Sequence, residues 1–229
     1  MNITFYIFCR WHAPVQKHMA PVIGIAVFGY LLDYIYGFFF NIYHVKTSQF
    51  CRIGSAMQLS FTKPDGFNFE EIGFIYLCVP WISKFEWHAF SIYGNSDVPN
   101  QVNVCMAVVG DKNSWTTKLH AALEQPTVRP VWVYGPFPSP FDMAMNRDEV
   151  ICVATGIGIS PSLNVVHKYR ESRRIHLIWM CRDTKLVEFF LNTFRFDDDA
   201  WTLVYYTGEE GMMVLIHLIL DFIFKLTTN

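Results

Sequence analysis

The feature that most constrains this chain is a change of texture near Glu149. Residues 150–154 are wholly apolar, Gly156-Ile157-Gly158-Ile159-Ser160-Pro161 follows at once, and residues 160–169 carry a helical pattern. A second apolar run at 175–180, a second helical stretch at 184–194 and a third strand-like run at 201–205 continue the alternation. Strands that are apolar along their whole length, with a helix between each pair, predict a parallel sheet covered on both faces.

Upstream the pattern is different. Residues 45–53, 57–61, 73–79, 87–92, 102–109 and 130–134 read as short strands. They are punctuated by Gly54-Ser55, Pro64-Asp65-Gly66, Gly94-Asn95-Ser96-Asp97 and Gly110-Asp111, which predicts a small antiparallel barrel. A helix is expected at 115–123, before the last barrel strand. Earlier still, residues 19–43 hold a single charged residue, Asp33, in an otherwise apolar run. A run of that length covers about 30 Å of hydrocarbon, with Asp33 best placed toward the aqueous end; a buried core helix is the alternative. Residues 1–13 read as the last turns of a preceding apolar helix, so the Met start looks like a truncation. The expected organisation is a membrane segment at 1–43, a barrel at 44–140 and an α/β domain at 141–229, incomplete at its C-terminus.

Composition narrows the function. Charged residues are only 17% of the chain and apolar ones 52%, against roughly 25% charged in soluble domains. A net charge of −2 lacks the basic footprint that a nucleic-acid binder needs. Six cysteines without a CxxC pair argue against a zinc site or a dense disulfide scaffold and suit a reducing compartment.

Three places carry candidate chemistry. Gly156 and Gly158 let a backbone approach a pyrophosphate, and Ser160 and Pro161 open the helix whose N-terminus would face it. A tight turn is the plain alternative. The second apolar strand ends in Cys181-Arg182-Asp183. There Arg182 would favour a 2′-phosphate and Asp183 a free ribose hydroxyl, unless the two form an ordinary surface pair. Cys181 would lie near a nicotinamide or be a buried small residue. In the barrel, His88-Ala89-Phe90-Ser91 combines rings and a hydroxyl on one strand, with His88 and Phe90 on one face and Ala89 and Ser91 on the other. That suits a flavin ring or simple strand packing.

Taken in order, these motifs resemble the NADPH oxidase and dual oxidase family, with the ferric-chelate reductases close behind. Trp11-His12-Ala13-Pro14 followed by Tyr30-Leu31-Leu32-Asp33 is similar to the end of its fifth transmembrane helix and to its sixth. His88–Ser91 resembles its His-Pro-Phe-Thr motif, and Val108-Val109-Gly110-Asp111 with Trp115-Thr116 its Val-Val-Gly-Asp-Trp-Thr stretch. Gly135-Pro136-Phe137 looks like its Gly-Pro-Phe turn, Gly156–Pro161 its pyrophosphate loop, and Cys181-Arg182-Asp183 the end of its next strand. The resemblance implies a ferredoxin-reductase-like pair of domains in which NADPH passes hydride to FAD and electrons go on through membrane haems to oxygen or ferric iron. It implies that His88, Phe90 and Ser91 hold the flavin ring, that Ala89, Gly135 and Pro136 belong to the cofactor-binding set, and that Trp115 and Thr116 lie near the FAD phosphates. Gly156, Gly158, Ser160 and Pro161 would cradle the NADPH pyrophosphate, and Cys181 and Arg182 would meet the nucleotide. His12 matches a haem ligand, although haem is not expected in this fragment alone. The implied setting is a lipid bilayer, the plasma membrane by family, with the cofactor domains on the cytosolic side.

Several positions depart from the family. Cys105-Met106-Ala107 stands where the family has His-x-Arg, so the arginine facing the flavin pyrophosphate is missing; Lys112 and Lys118 are the candidate substitutes. Pro138 replaces a glycine, Lys112-Asn113-Ser114 is inserted, and 212–224 is an apolar run about one helix long in place of the family's last strand. A non-catalytic, truncated relative is therefore the second expectation.

Overall fold

The computed structural model describes residues 19–68, 73–94, 98, 100–141, 146–169, 171–193, 200–208 and 213–216. It comprises two units, Met1–Ile42 and Tyr43–Asn229. The features expected at residues 1–18, His12 among them, and at 217–229 lie outside the described residues.

In the first unit, α1 (Met19–Phe40) takes up the apolar run. Pro21 sits in its first turn, where a missing amide hydrogen costs no helical bond. At the other end the Asn41 N–H donates to the Gly37 carbonyl at 3.1 Å. The successive residues Tyr30, Leu31 and Leu32 are all exposed, so apolar surface runs round the helix. Among the described residues no helix is long and apolar enough to cross a membrane. The structure thus does not show the spanning helix expected at 19–43: Asp33, Pro21 and the glycines at 24, 29 and 37 dilute the run.

The second unit opens with β1 (Ile42–Ile53), β2 (Ala56–Thr62), β3 (Gly73–Cys78), β4 (His88–Gly94), β5 (Gln101–Ala107) and β6 (Thr127–Pro138). They close into a barrel in the order β1-β2-β5-β4-β3-β6. Period-two alternation sets the interior: Met57, Leu59 and Phe61 of β2 point inward with Ile75, Leu77, Val102, Val104, Val131 and Val133. Gln58 and Ser60 face out. Each such buried aliphatic side chain contributes about 1.5–3 kcal/mol. Helix α2 (Trp115–Ala122) adds Trp115 and Leu119, and Leu123 just beyond it, to the same core. Its N-cap is Ser114, whose Oγ accepts from the Thr117 N–H at 3.3 Å. The inserted residues 112–114 therefore end in a helix cap and leave the barrel intact.

The expected turn at Gly135-Pro136-Phe137 is instead an irregularity inside β6. The β3–β6 register shifts between Phe74 and Tyr76, opposite these residues, and pairing then resumes to Gly73 opposite Pro138. Gly135 has φ +128° and is joined to Pro136 by a cis peptide bond. Pro138 ends the strand, so it has no need of the positive φ that proline excludes.

The remaining elements are β7 (Glu149–Thr155), a single turn of 3₁₀ helix (Gly156–Gly158), α3 (Ile159–Tyr169), β8 (Arg174–Cys181), α4 (Thr184–Thr193), β9 (Thr202–Tyr206) and β10 (Met213–Ile216). Strands β7, β8 and β9 are parallel. β10 pairs antiparallel with β9, so within the apolar run at 212–224 the described residues 213–216 form a strand. The sheet is also not covered on both faces among the described residues. Ala154, Trp179 and Val204 share a register row and a face with Leu177 and Cys181, and both α3 and α4 pack there through Ile159, Leu163, Leu186 and Phe190. On the opposite face Ile151 and Val153 are exposed. A wholly apolar strand does not reveal which of its faces is covered.

The barrel and the sheet share this core. Ile53, Ala56, Tyr93 and Cys105 of the barrel wall join the same buried cluster, and the Tyr93 ring lies 6.1 Å from that of Phe190.

Candidate functional site

Strand β4 divides its four motif residues between two surfaces. His88 and Phe90 stand opposite Leu77 and Ile75 and lean toward Trp115, with ring centroids 4.5 and 6.0 Å from the indole. Trp115 is buried, and its Nε1 and the His88 Nε2 both lack a hydrogen-bond partner. Glu86 Oε2 lies 3.7 Å from that His88 nitrogen, too far for a hydrogen bond. Ala89 and Ser91 stand opposite Tyr76 and Phe74 on the outer wall. There Phe137 stacks on Phe74 at 5.3 Å and Tyr134 on Tyr76 at 6.1 Å. Gly135 belongs to this wall: a Cβ added to it would meet the Phe137 ring at 3.1 Å.

The hydroxyl of Thr116 is spent locally, accepting from the Val109 N–H at 3.0 Å and donating to the Val109 carbonyl at 2.8 Å. It pins the loop before α2, where Gly110 has φ +97°. Lys112 and Lys118, both exposed, flank this loop.

At the other end of the unit, β7 runs into Gly156 with φ +49°. The Trp179 indole N–H donates to the Gly156 carbonyl at 2.9 Å and fixes the loop to β8. A Cβ added at Gly156 or Gly158 would meet nothing within 4 Å. The Ser160 side chain is 2% exposed, and its hydroxyl has no partner. The 3₁₀ turn runs straight into α3, so the Ile159 N–H already donates to the Gly156 and Ile157 carbonyls, and the buried, unpaired Ser160 hydroxyl is the polar group left at this helix end for an anion. Pro161 follows inside the same turn.

Cys181 is buried in the shared core, and burial pushes its thiol up from the ordinary value. Cys105 is likewise pushed up to about 12 by burial and by Cys51. Arg182 is exposed at the end of β8. Asp183 does not face solvent as half of an Arg–Asp pair. Its Oδ2 accepts from the Ser55 N–H at 2.8 Å and the Ser55 hydroxyl at 2.5 Å. Its Oδ1 accepts from the N–H groups of Lys185 and Leu186 at 3.0 and 3.2 Å. Burial alone would raise the Asp183 carboxyl, but these hydrogen bonds outweigh it and hold it below the ordinary aspartate value.

The structure brings His88 and Phe90 together with Trp115, and brings Gly156, Gly158 and Ser160 together at one helix end. Sequence reasoning missed Ser55 and Asn164. The Asn164 amide donates to the Ile92 carbonyl of β4 from α3, and Ser55 lies 128 residues from its partner Asp183. A polar residue on an otherwise amphipathic helix was the one available signal for Asn164; Ser55 had none.

A six-stranded antiparallel barrel whose wall shares a core with a mostly parallel sheet defines the ferredoxin-reductase-like fold. A solved ferredoxin NADP+ reductase from Neisseria gonorrhoeae with bound FAD and NADP shares the fold, with TM-score 0.55 and 12% identity over 82% of this chain and 77% of that one. An FAD-binding domain model matches residues 40–156. Ferric reduction oxidase 5 of Arabidopsis thaliana is 29% identical over 157 residues, 64% of this chain and 22% of its own length. NADPH oxidase 4 of Rattus norvegicus is 28% identical over 156 residues, 59% of this chain and 26% of its own. This chain belongs to the FAD-binding domain family, in the group of the NADPH oxidases and ferric reductases. It spans about a fifth to a quarter of the length of these curated relatives.

Proposed function

We propose that this chain is the FAD- and NADPH-binding part of a membrane oxidoreductase. The observation that carries the reading is Ser160, a buried and unpaired hydroxyl at the start of α3, directly after a glycine loop open on its Cβ side. Such a site fits the pyrophosphate of a dinucleotide. The barrel fits the flavin: Phe90 offers a ring at the barrel mouth, His88 an unpaired nitrogen, and Ser91 a hydroxyl on the strand's other face. Gly135 keeps the outer wall of β6 close beside it. Lys112 and Lys118 would supply the positive charge for the flavin phosphates that Ala107 does not, and Thr116 would hold their loop in shape. Trp115 would act by bracing His88 and Phe90 from behind.

When bound, FAD would supply the redox chemistry, accepting hydride from NADPH and releasing electrons toward a membrane haem and on to oxygen, with ferric iron the alternative acceptor. No protein base is needed for hydride transfer; the residues bind, orient and exclude water. Arg182 would meet the adenosine 2′-phosphate. A membrane setting is supported by the NADPH oxidase and ferric reductase relatives, not by helix α1, whose run is broken by Asp33.

The test is flavin affinity. The purified chain should take up FAD, and Phe90→Ala should weaken that uptake about tenfold or more, given the roughly 0.5–1.5 kcal/mol of a ring pair plus lost contact area. Phe137→Ala should weaken it less, because Phe137 lies on the outer wall against Phe74, on the opposite face from Phe90. Equal effects, measured by fluorescence titration of FAD, would remove Phe90 from the site.

A further inference from the structure

We propose that Asp183 is a positioning residue: its carboxylate latches the nucleotide-binding sheet to the barrel by gripping the β1–β2 turn, and so sets the approach of the two cofactor sites. The inference deepens the reading above and rests on it. One oxygen of the carboxylate takes the main-chain N–H and the hydroxyl of Ser55, and the other caps α4 through Lys185 and Leu186. The residue that starts α4 is thereby tied to a barrel turn 128 residues away. Gly54 makes the fit possible. It has φ +58°, and a Cβ there would come within 2.6 Å of the Asp183 carboxylate.

Two neighbours give this bridge its consequence. Arg182, the candidate reader of the nucleotide, is the adjacent residue and moves with the sheet, so the latch sets where a bound nucleotide stands against the barrel without changing the contacts that hold it. Asn164 makes the corresponding link from α3 to β4, the strand that holds His88–Ser91. Both helices that follow the nucleotide-facing strands are thus tied by polar side chains to the flavin-facing barrel. The shared apolar core supplies adhesion without direction, whereas charge-assisted hydrogen bonds impose an orientation. Hydride transfer is sensitive to orientation, since a displacement of about 1 Å can cost about 10²-fold.

The experiment compares the full chain with Asp183→Ser, which keeps a good helix cap but is too short to reach Ser55, and with Gly54→Ala, which wedges the same contact. In the cofactor-free protein, hydrogen exchange at the Ser55 amide should quicken about tenfold in Asp183→Ser, while the Lys185 and Leu186 amides stay within about twofold. In the FAD-loaded protein, anaerobic bleaching of the flavin by NADPH should slow about ten- to hundredfold, with the NADPH dissociation constant changed less than about threefold. Gly54→Ala should move both readouts in the same direction and decides the matter if Asp183→Ser does not fold. An unchanged Ser55 amide overturns the latch. Faster exchange with an unchanged bleaching rate overturns the positioning role. Failure of the parent chain to take up FAD overturns the functional reading and the positioning role with it, and the exchange readout then still reports whether the bridge exists.

Discussion

Replacing Trp179 with alanine is expected to be the most damaging single change in the second unit, costing about 3–5 kcal/mol of stability. The indole is fully buried and lies between Ala154 and Val204 in the sheet register. It meets Phe190 edge-on at 5.9 Å, so truncation opens a cavity where the sheet, α4 and the barrel wall converge. It also removes one of the two donors to the Gly156 carbonyl, leaving only the Ile159 N–H, which loosens the turn that leads to Ser160. Two effects should therefore appear together: a lower midpoint in urea and weaker NADPH binding. Trp179→Phe keeps most of the volume but loses the hydrogen bond and part of the ring system, so its cost should be about 1–2 kcal/mol. A loss below about 1 kcal/mol for the alanine variant would contradict the packing described here.

Arg182→Ala should abolish discrimination between NADPH and NADH. Arg182 is exposed where the strand after the first helix ends, the edge at which a dinucleotide fold reads the adenosine ribose. Charge-assisted hydrogen bonds from its guanidinium to a 2′-phosphate are each worth roughly 1.5–3 kcal/mol. At about 1.4 kcal/mol per decade this corresponds to a preference for NADPH of about one to two powers of ten. Asp183, the neighbour that would otherwise accept a ribose hydroxyl, has both oxygens engaged by Ser55, Lys185 and Leu186 and so does not compete for it. Isothermal titration with both nucleotides decides the matter. Equal weakening of both by the substitution would remove Arg182 as the discriminator.

The barrel strands and the strand–loop–helix at 149–169 were legible because they depend on local pattern. Met57, Leu59 and Phe61 alternate with Gln58 and Ser60, and Gly156-Ile157-Gly158 sits between an apolar run and an amphipathic one. What was not legible depends on partners distant in the chain. Ile151 and Val153 look like core residues in the sequence, yet they are exposed, because α3 and α4 both choose the face of Ala154 and Trp179. Gly135 and Pro136 read as a turn, and only the opposing Phe74–Tyr76 segment shows that the strand continues past them. Met213–Ile216 is apolar enough for helix or strand; its pairing to Thr202–Tyr205 makes it a strand. Asp183 was read as a ribose ligand or a surface charge because nothing near it in sequence announces Ser55. The candidate site follows the same division: the residue types at 88–91 and 156–161 pointed to cofactors, whereas the bracing by Trp115 and Trp179 emerged only from packing.

The proposed function joins a flavin site on the barrel to an NADPH site on the sheet within one chain. Its most direct test is to load the purified chain with FAD, remove oxygen, add NADPH and follow the visible absorbance of the flavin. Bleaching should occur with NADPH, should be about ten- to hundredfold less efficient with NADH in keeping with the Arg182 preference, and should weaken when Ser160 is replaced by alanine. A chain that retains FAD but keeps its full absorbance in excess NADPH would contradict the account.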